Sequence, residues 1–183
     1  MALSAFVGPL AWAVGDGTAV AATTTPTSLL TSTAASGKWS MPGGYFTAPG
    51  QTLRLKAAGR ISTPAATQGN ITFNFVIGAV NVATSPTFTS LASLTNITWI
   101  LDWLLTLRAV GDGTLANFMH TGNFETALVS ATNLQNLIPA TVPAVGTGFN
   151  SSAGATVDLQ ATWSNATAGN TITLHQYMLE SIV

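Results

Sequence analysis

The chain contains no cysteine, which excludes disulfide bonds and thiolate metal sites. Charge is also scarce, because only 6% of the 183 residues are charged and the formal net charge is −1, whereas about a quarter is usual in soluble domains. No apolar run approaches the roughly 18 residues of a membrane-spanning helix, and the N-terminus has no basic residue of the kind that opens a secretory signal. We therefore expect no membrane segment and no secretory signal.

Basic residues are too few to predict a nucleic-acid-binding surface. The five that occur are Lys38, Arg54, Lys56, Arg60 and Arg108. In place of charge the chain carries Thr, Ser, Asn, Gly and Ala, which form a surface that can hydrogen-bond but does little to keep copies apart. This composition suits a subunit whose outside is largely covered by other subunits, and it predicts a homo-oligomer.

Alternating apolar and polar residues predict β-strands, and helical periodicity is nearly absent. The alternation is clearest in residues 52–61, 70–80, 97–110, 114–124, 155–163 and 171–182. About eight strands predict an all-β, antiparallel two-sheet β-sandwich with a jelly-roll-like order. The less regular residues 1–49 are predicted to form an N-terminal arm or attachment segment, followed by the sandwich domain at 50–183. A change of face within the last strand predicts a β-bulge near His175 and Gln176.

Three basic residues, Arg54, Lys56 and Arg60, alternate with apolar residues and so share one face of the strand at 52–61. Alternation of this kind is typical of a strand with one buried and one solvated face. The simple interpretation is therefore a solvated outer face. The alternative is a face that contacts phosphate groups or glycans.

A hairpin is predicted where Gly111-Asp112-Gly113 separates the strands at 97–110 and 114–124. A three-residue loop would pair Thr106 with Phe118, Leu104 with His120 and Ile100 with Phe124. The outer face of the hairpin would then be apolar, and a strand that is apolar on both faces is normally covered on both. We therefore predict that a sister subunit covers a surface formed by Ile100, Leu104, Val110, Phe118 and Phe124.

Titratable residues are too sparse to predict an active site. The chain has two histidines, His120 and His175, and lacks the nucleophile-elbow and zinc-protease motifs. We expect His120 and Asp102 to form a structural hydrogen-bonded pair. The Gly-Asp-Gly turns at Asp16 and Asp112 lack the acidic ligand set of a calcium loop. The sequence therefore predicts no enzymatic activity, no metal site and no cofactor.

Of the five tryptophans, Trp99, Trp103 and Trp163 lie in predicted strands and are expected in the core. Trp12 and Trp39 lie outside the regular strands. They either anchor the N-terminal segment to a partner or pack within the same chain, and the sequence leaves both alternatives open.

Four motifs follow one another within residues 50–183, and these are Gly50-Gln51-Thr52-Leu53-Arg54, Phe73-Asn74-Phe75-Val76-Ile77-Gly78, Leu107-Arg108-Ala109-Val110-Gly111 and Asn170-Thr171-Ile172-Thr173-Leu174. This order resembles a family of small virion proteins of tailed bacteriophages that contain a jelly-roll domain. Residues 1–49 lie outside the resemblance.

The resemblance implies a structural virion protein. Its first implication is a capsid decoration or cementing protein, a trimer that binds the major capsid protein on the outside of the head and is assembled in the host cytoplasm. Trp12 and Trp39 would then attach the chain to the particle. The alternative is a tail, head-fibre or receptor-binding module that recognises host surface glycans through Arg54, Lys56 and Arg60.

Overall fold

A computed structural model describes residues 7–30, 37–127 and 134–182, which form twelve β-strands and no helix. The larger sheet contains β1 (Val7–Trp12), β2 (Val20–Ala21), β5 (Thr52–Thr63), β8 (Leu94–Ala109), β9 (Asn117–Thr126), β10 (Leu134–Ile138) and β12 (Thr171–Ile182). The smaller sheet contains β3 (Thr27–Ser28), β4 (Trp39–Met41), β6 (Ile71–Ile77), β7 (Val80–Thr84) and β11 (Ala155–Trp163). All paired strands are antiparallel. The predicted all-β two-sheet sandwich is confirmed.

Strand order places the early strands of the chain beside its late strands. The larger sheet has the order β1-β12-β5-β8-β9-β10 and the smaller sheet the order β3-β11-β6-β7, with β4 also paired to β11. The first strand therefore lies beside the last, and β3 and β4 lie beside β11. The jelly-roll-like order stays a prediction. The β9–β10 hairpin extends the larger sheet beyond β8.

Alternation explains the long strands of the larger sheet. In β8 the odd-numbered residues from Trp99 to Leu107 are fully buried, whereas the even-numbered residues between them are exposed or partly exposed. In β12 the pairing with β5 shifts between Leu174 and Gln176, which confirms the predicted bulge at this point. Inward side chains from both sheets then meet in one continuous core.

An aromatic cluster occupies one part of this core. The ring of Phe124 lies 4.7 Å from that of Phe88, 5.0 Å from that of Phe73 and 6.4 Å from that of Trp99. Burying one such side chain contributes about 1.5–3 kcal/mol, and favourable ring geometry adds about 0.5–1.5 kcal/mol. This cluster ties β6 of the smaller sheet to β8 and β9 of the larger one.

The N-terminal segment pairs with both sheets. β1 and β2 pair with β12, while β3 and β4 pair with β11. Two backbone hydrogen bonds, from the Ala13 amide to the Tyr177 carbonyl and from the Gly17 amide to the Leu174 carbonyl, hold the connection after β1. The division into 1–49 and 50–183 stays a prediction, and its residues 1–6, 31–36, 128–133 and 183 lie outside the described part of the chain.

The predicted register of the β8–β9 hairpin is wrong by one residue. Leu107 pairs with Phe118, Leu105 with His120 and Leu101 with Phe124. The cause is a bulge at Arg108 and a connection longer than three residues, because regular pairing resumes only between Ala109 and Asn117. A shift of one residue moves every side chain of the return strand to the opposite face.

Phe118 and Phe124 therefore point into the core, where both are fully buried. Neither side chain can contribute to an exposed subunit interface, which corrects the surface predicted from the sequence. The outward residues of β9 are instead Met119, Thr121 and Glu125, which pair with outward residues of β8.

Candidate functional site

The solvent-facing side of the larger sheet, here called the outer sheet face, brings most of the predicted site residues together. Arg54, Lys56 and Arg60 point outward from β5, and Ile100 and Leu104 point outward from the neighbouring β8. Trp12 joins them from β1, because it pairs with the outward-facing Met178 of β12. Residues that sequence reasoning assigned to three different roles thus share one surface.

Cross-strand pairing arranges this face in rungs that run across the strands. The central rung contains Trp12, Met178, Lys56, Asp102, Asn123 and Leu137. The rung on one side contains Gln176, Ala58, Ile100, Glu125 and Gln135. The rung on the other side contains Pro9, Glu180, Arg54, Leu104 and Thr121. Directly opposed side chains on one face are close enough to interact.

Arg54 and Asp102 form the ion pair at the centre of the outer sheet face. The Arg54 guanidinium donates through Nε to Asp102 Oδ1 at 3.0 Å and through Nη2 to Asp102 Oδ2 at 2.5 Å. This two-point hydrogen bond raises the pKa of Arg54 above its ordinary value, with a further contribution from the charge of Glu180. Because both side chains remain partly exposed, the pair contributes about 1 kcal/mol or less to stability, but it fixes the position of Arg54.

Four further charged side chains on this face have no ion-pair partner among the described residues. They are Lys56, Arg60, Glu125 and Glu180. Glu125 Oε1 accepts hydrogen bonds from the Asn123 and Gln135 side-chain amides at 3.0 and 3.3 Å. Because both donors are uncharged, the negative charge of Glu125 is not compensated by them. The face therefore carries a column of cations on β5 with carboxylates on the strands to either side.

Large apolar side chains stand among these charges. Trp12 is 55% exposed, Ile100 is 44% exposed and Leu137 is 67% exposed. An open depression of about 380 Å³ lies beside Ile100, lined by Lys56, Ala57, Ala58, Ile100, Asp102, Gln176, Tyr177 and Met178. Trp12 stands beside this depression, since it lies directly opposite Met178.

The remaining predicted residues lie elsewhere. Val110 lies at the end of the β8–β9 hairpin and is partly exposed. Trp39 lies in β4 of the smaller sheet, packed against the core and edge-on to Tyr45 with ring centres 4.7 Å apart. Trp12 and Trp39 therefore face different surroundings on different sheets. Their predicted role in particle attachment stays a prediction.

His120 and Asp102 do not form the predicted pair. Asp102 points outward to Arg54, whereas His120 points inward and accepts a hydrogen bond at Nδ1 from Trp103 Nε1 at 3.1 Å. The one-residue register shift explains the difference, because Asp102 lies opposite Asn123 instead. Burial lowers the pKa of His120 below its ordinary value, which keeps the ring neutral and Nδ1 free to accept.

We expect the free energy of unfolding to fall as the pH drops below about 6.5, the ordinary pKa of histidine. The unfolded chain binds a proton there that the folded chain excludes, so acid favours the unfolded state. Urea denaturation at about pH 7.5 and about pH 5 measures the difference. H120N should flatten this pH dependence. An unchanged pH profile in H120N would contradict the assignment.

Several contributors to this face were missed by sequence reasoning. Met178, Leu137 and Gln135 were not singled out, because nothing local to β12 or β10 indicates which strands lie beside them. Glu125 was counted among the acids but not placed on a surface. Its outward position follows from the corrected register, which the hairpin loop alone did not reveal.

Among the described residues, no group of three His, Asp or Glu side chains is placed to hold a metal ion. In the same part of the chain no helix has the length and apolar character needed to cross a membrane. Comparison with protein-family models, curated proteins and solved structures finds no match to this chain.

Proposed function

We propose that this chain is a structural protein of a tailed-bacteriophage virion, most specifically a capsid decoration protein that binds the outside of the head. The resemblance of residues 50–183 to phage virion proteins motivates the proposal. The two-sheet sandwich supports it, because such a fold presents broad sheet faces to its neighbours. Its partners would be further copies of itself, with the trimer as the predicted form, and the major capsid protein.

The outer sheet face is the observation that carries the assembly role. Exposed Trp12, Ile100 and Leu137 lie on one surface with Arg54 and Met178. Aromatic residues, Met and Arg are the residue types enriched where proteins bind one another. An apolar surface rimmed by polar groups is also typical of an interaction site. This combination favours a contact surface over a purely solvated one.

The mechanism of such a protein is mechanical. Each copy bridges neighbouring capsomers, and many modest contacts together resist the outward pressure of packaged DNA. Apolar burial contributes about 25 cal/mol per Å². The scarcity of charge favours assembly, because few ions lose their hydration when surfaces come together.

Cryo-electron microscopy of the intact particle tests this role. We expect density for the sandwich at regular positions on the capsid lattice, and hundreds of copies per virion by quantitative mass spectrometry. A dozen or fewer copies, with density confined to the tail, would contradict capsid decoration while retaining a virion role. A chain absent from purified virions would contradict the proposed function as a whole.

Glycan recognition is the second candidate, and the depression beside Trp12 is the observation that favours it. Its volume of about 380 Å³ lies within the range of about 300–1,000 Å³ for small-molecule sites. Lys56, Asp102 and Gln176 offer donors and acceptors for sugar hydroxyls, while Ile100 and Met178 contribute apolar lining. Trp12 offers an exposed ring on which the C–H face of a sugar could stack.

Nuclear magnetic resonance titration with methyl glycosides of glucose, galactose, mannose and N-acetylglucosamine tests this candidate. We expect millimolar binding, roughly −4 kcal/mol, seen as a shift of the Trp12 indole signal. K56A should weaken binding by about tenfold, because a charge-assisted hydrogen bond is lost. R60A is the matched control, since Arg60 does not line the depression. No shift with any glycoside, or equal effects of both variants, would count against the site.

A further inference from the structure

We infer that the outer sheet face binds the same face of a second copy of this chain, around a two-fold axis that runs parallel to the strands above β8. The inference rests on the proposed function and names the partner of that face, with a two-fold pair in place of the predicted trimer. It follows from the strand order and from the position of each side chain in the rungs.

β8 is the middle strand of the five that run from β12 to β10 in the larger sheet. β5 and β9 flank β8, and β12 and β10 lie one strand further out on either side. A half-turn about an axis above β8 therefore places β5 of one copy over β9 of the other, and β12 over β10. Because the axis is parallel to the strands, each rung of one copy meets the same rung of the other.

This half-turn places charged side chains of one copy opposite side chains of the other copy that carry the opposite charge. Glu125 lies in the same rung as Ala58, and Lys56 and Arg60 lie two residues to either side of Ala58 on β5. Two residues of a strand span about 7 Å, so the Glu125 carboxylate of one copy faces the gap between Lys56 and Arg60 of the other. The half-turn creates this contact twice. None of these three side chains has an ion-pair partner within its own described chain.

The same arrangement also places uncharged side chains of the two copies opposite each other. Ile100 and Leu104 lie on β8 and meet their own counterparts near the axis. Met178 on β12 lies over Leu137 on β10, because both belong to the central rung. Asp102 also lies near the axis, where Arg54 of its own chain already compensates its charge.

The proposed packing has ordinary geometry. Stacked sheets lie about 10 Å apart and keep their strand directions within about 30° of each other. Strands related by a two-fold axis parallel to them fall within that range. The contact is isologous, so it closes at two copies. The predicted trimer would instead require a head-to-tail contact between two different surfaces, and the two arrangements are distinguishable in solution.

Sedimentation of the full chain tests the inference by charge exchange. We expect the wild-type protein to sediment as a pair of 18.7-kDa chains, and both E125K and the double variant K56E/R60E to dissociate at least about tenfold more readily. Mixing these two variants should restore the pair, because each contact then joins opposite charges again. D112K is the matched control, since it makes the same charge change in an exposed turn at the end of the hairpin.

The apolar contact that Ile100 makes near the axis is tested with I100D, which should abolish pairing. L115D is its control, because it changes an exposed leucine outside the face and should leave pairing intact. A monomer, a trimer, or a dimer that E125K and I100D leave intact would overturn the two-fold contact. None of these outcomes would remove the virion role, which particle composition decides separately. Dissociation of the pair by a methyl glycoside would identify a sugar as the occupant of the face instead and would also overturn the inference.

Discussion

F124A is expected to lower the free energy of unfolding by about 3–5 kcal/mol, the range measured when a buried phenylalanine is truncated. Phe124 is fully buried, and its ring contacts those of Phe73, Phe88 and Trp99. Truncation removes apolar burial and also leaves a cavity where three aromatic rings from both sheets and a connecting segment meet. Urea denaturation followed by tryptophan fluorescence measures the loss.

M119A is the matched control, because Met119 lies on the same strand but points outward opposite Thr106. We expect its effect on the free energy of unfolding to stay below about 1 kcal/mol. The comparison also tests the hairpin register. If M119A cost more than F124A, the assignment of inward and outward faces in β9 would be wrong.

G59A is expected to destabilise the fold by about 3 kcal/mol or more, because a β-carbon at Gly59 would overlap the main chain of β12. The overlapping atoms are the Thr173 carbonyl group and the Leu174 α-carbon, which directly precede the bulge at His175. Backbone atoms in a paired strand cannot move aside as a flexible side chain can. The substitution therefore forces β5 and β12 apart at the centre of the larger sheet.

G8A provides the control for this prediction, since a β-carbon at Gly8 would meet no atom within 4 Å. We expect its effect to lie within about 0.5 kcal/mol of zero. Thermal unfolding of both variants followed by circular dichroism makes the comparison. A mild effect of G59A, similar to that of G8A, would show that β12 does not approach β5 as closely as described.

Strand positions were the part of the fold most accessible from the sequence. The bounds predicted for β11 and β12 are confirmed, because alternation in these strands is interrupted only by turn residues and one bulge. The inward set of β8 followed in the same way from Trp99, Leu101 and Trp103. The alternation of apolar and polar residues shows which face of a strand is buried, and it can be read from the residues of that strand alone.

The candidate site could be predicted only in part, because it depends on which strands lie side by side. Arg54, Lys56 and Ile100 were placed correctly on outward positions, since alternation along β5 and β8 determines them. The bulge at Arg108 changed the face of every residue in the return strand, and no residue type near Gly111 indicates it. The central rung extends from Trp12 to Leu137 across six strands. The sequence of any one strand does not show which residues of the other strands lie in the same rung.

The pairing of β1 with β12 has a consequence for how the chain folds during synthesis. The ribosome releases Val7–Trp12 long before it makes Thr171–Ile182, so the first strand has no partner until β12 has been made. Non-local pairing of this kind is associated with folding in milliseconds to seconds, and unpaired strands are exposed to association meanwhile. Closure of the sandwich is therefore expected only after β12 has left the ribosome.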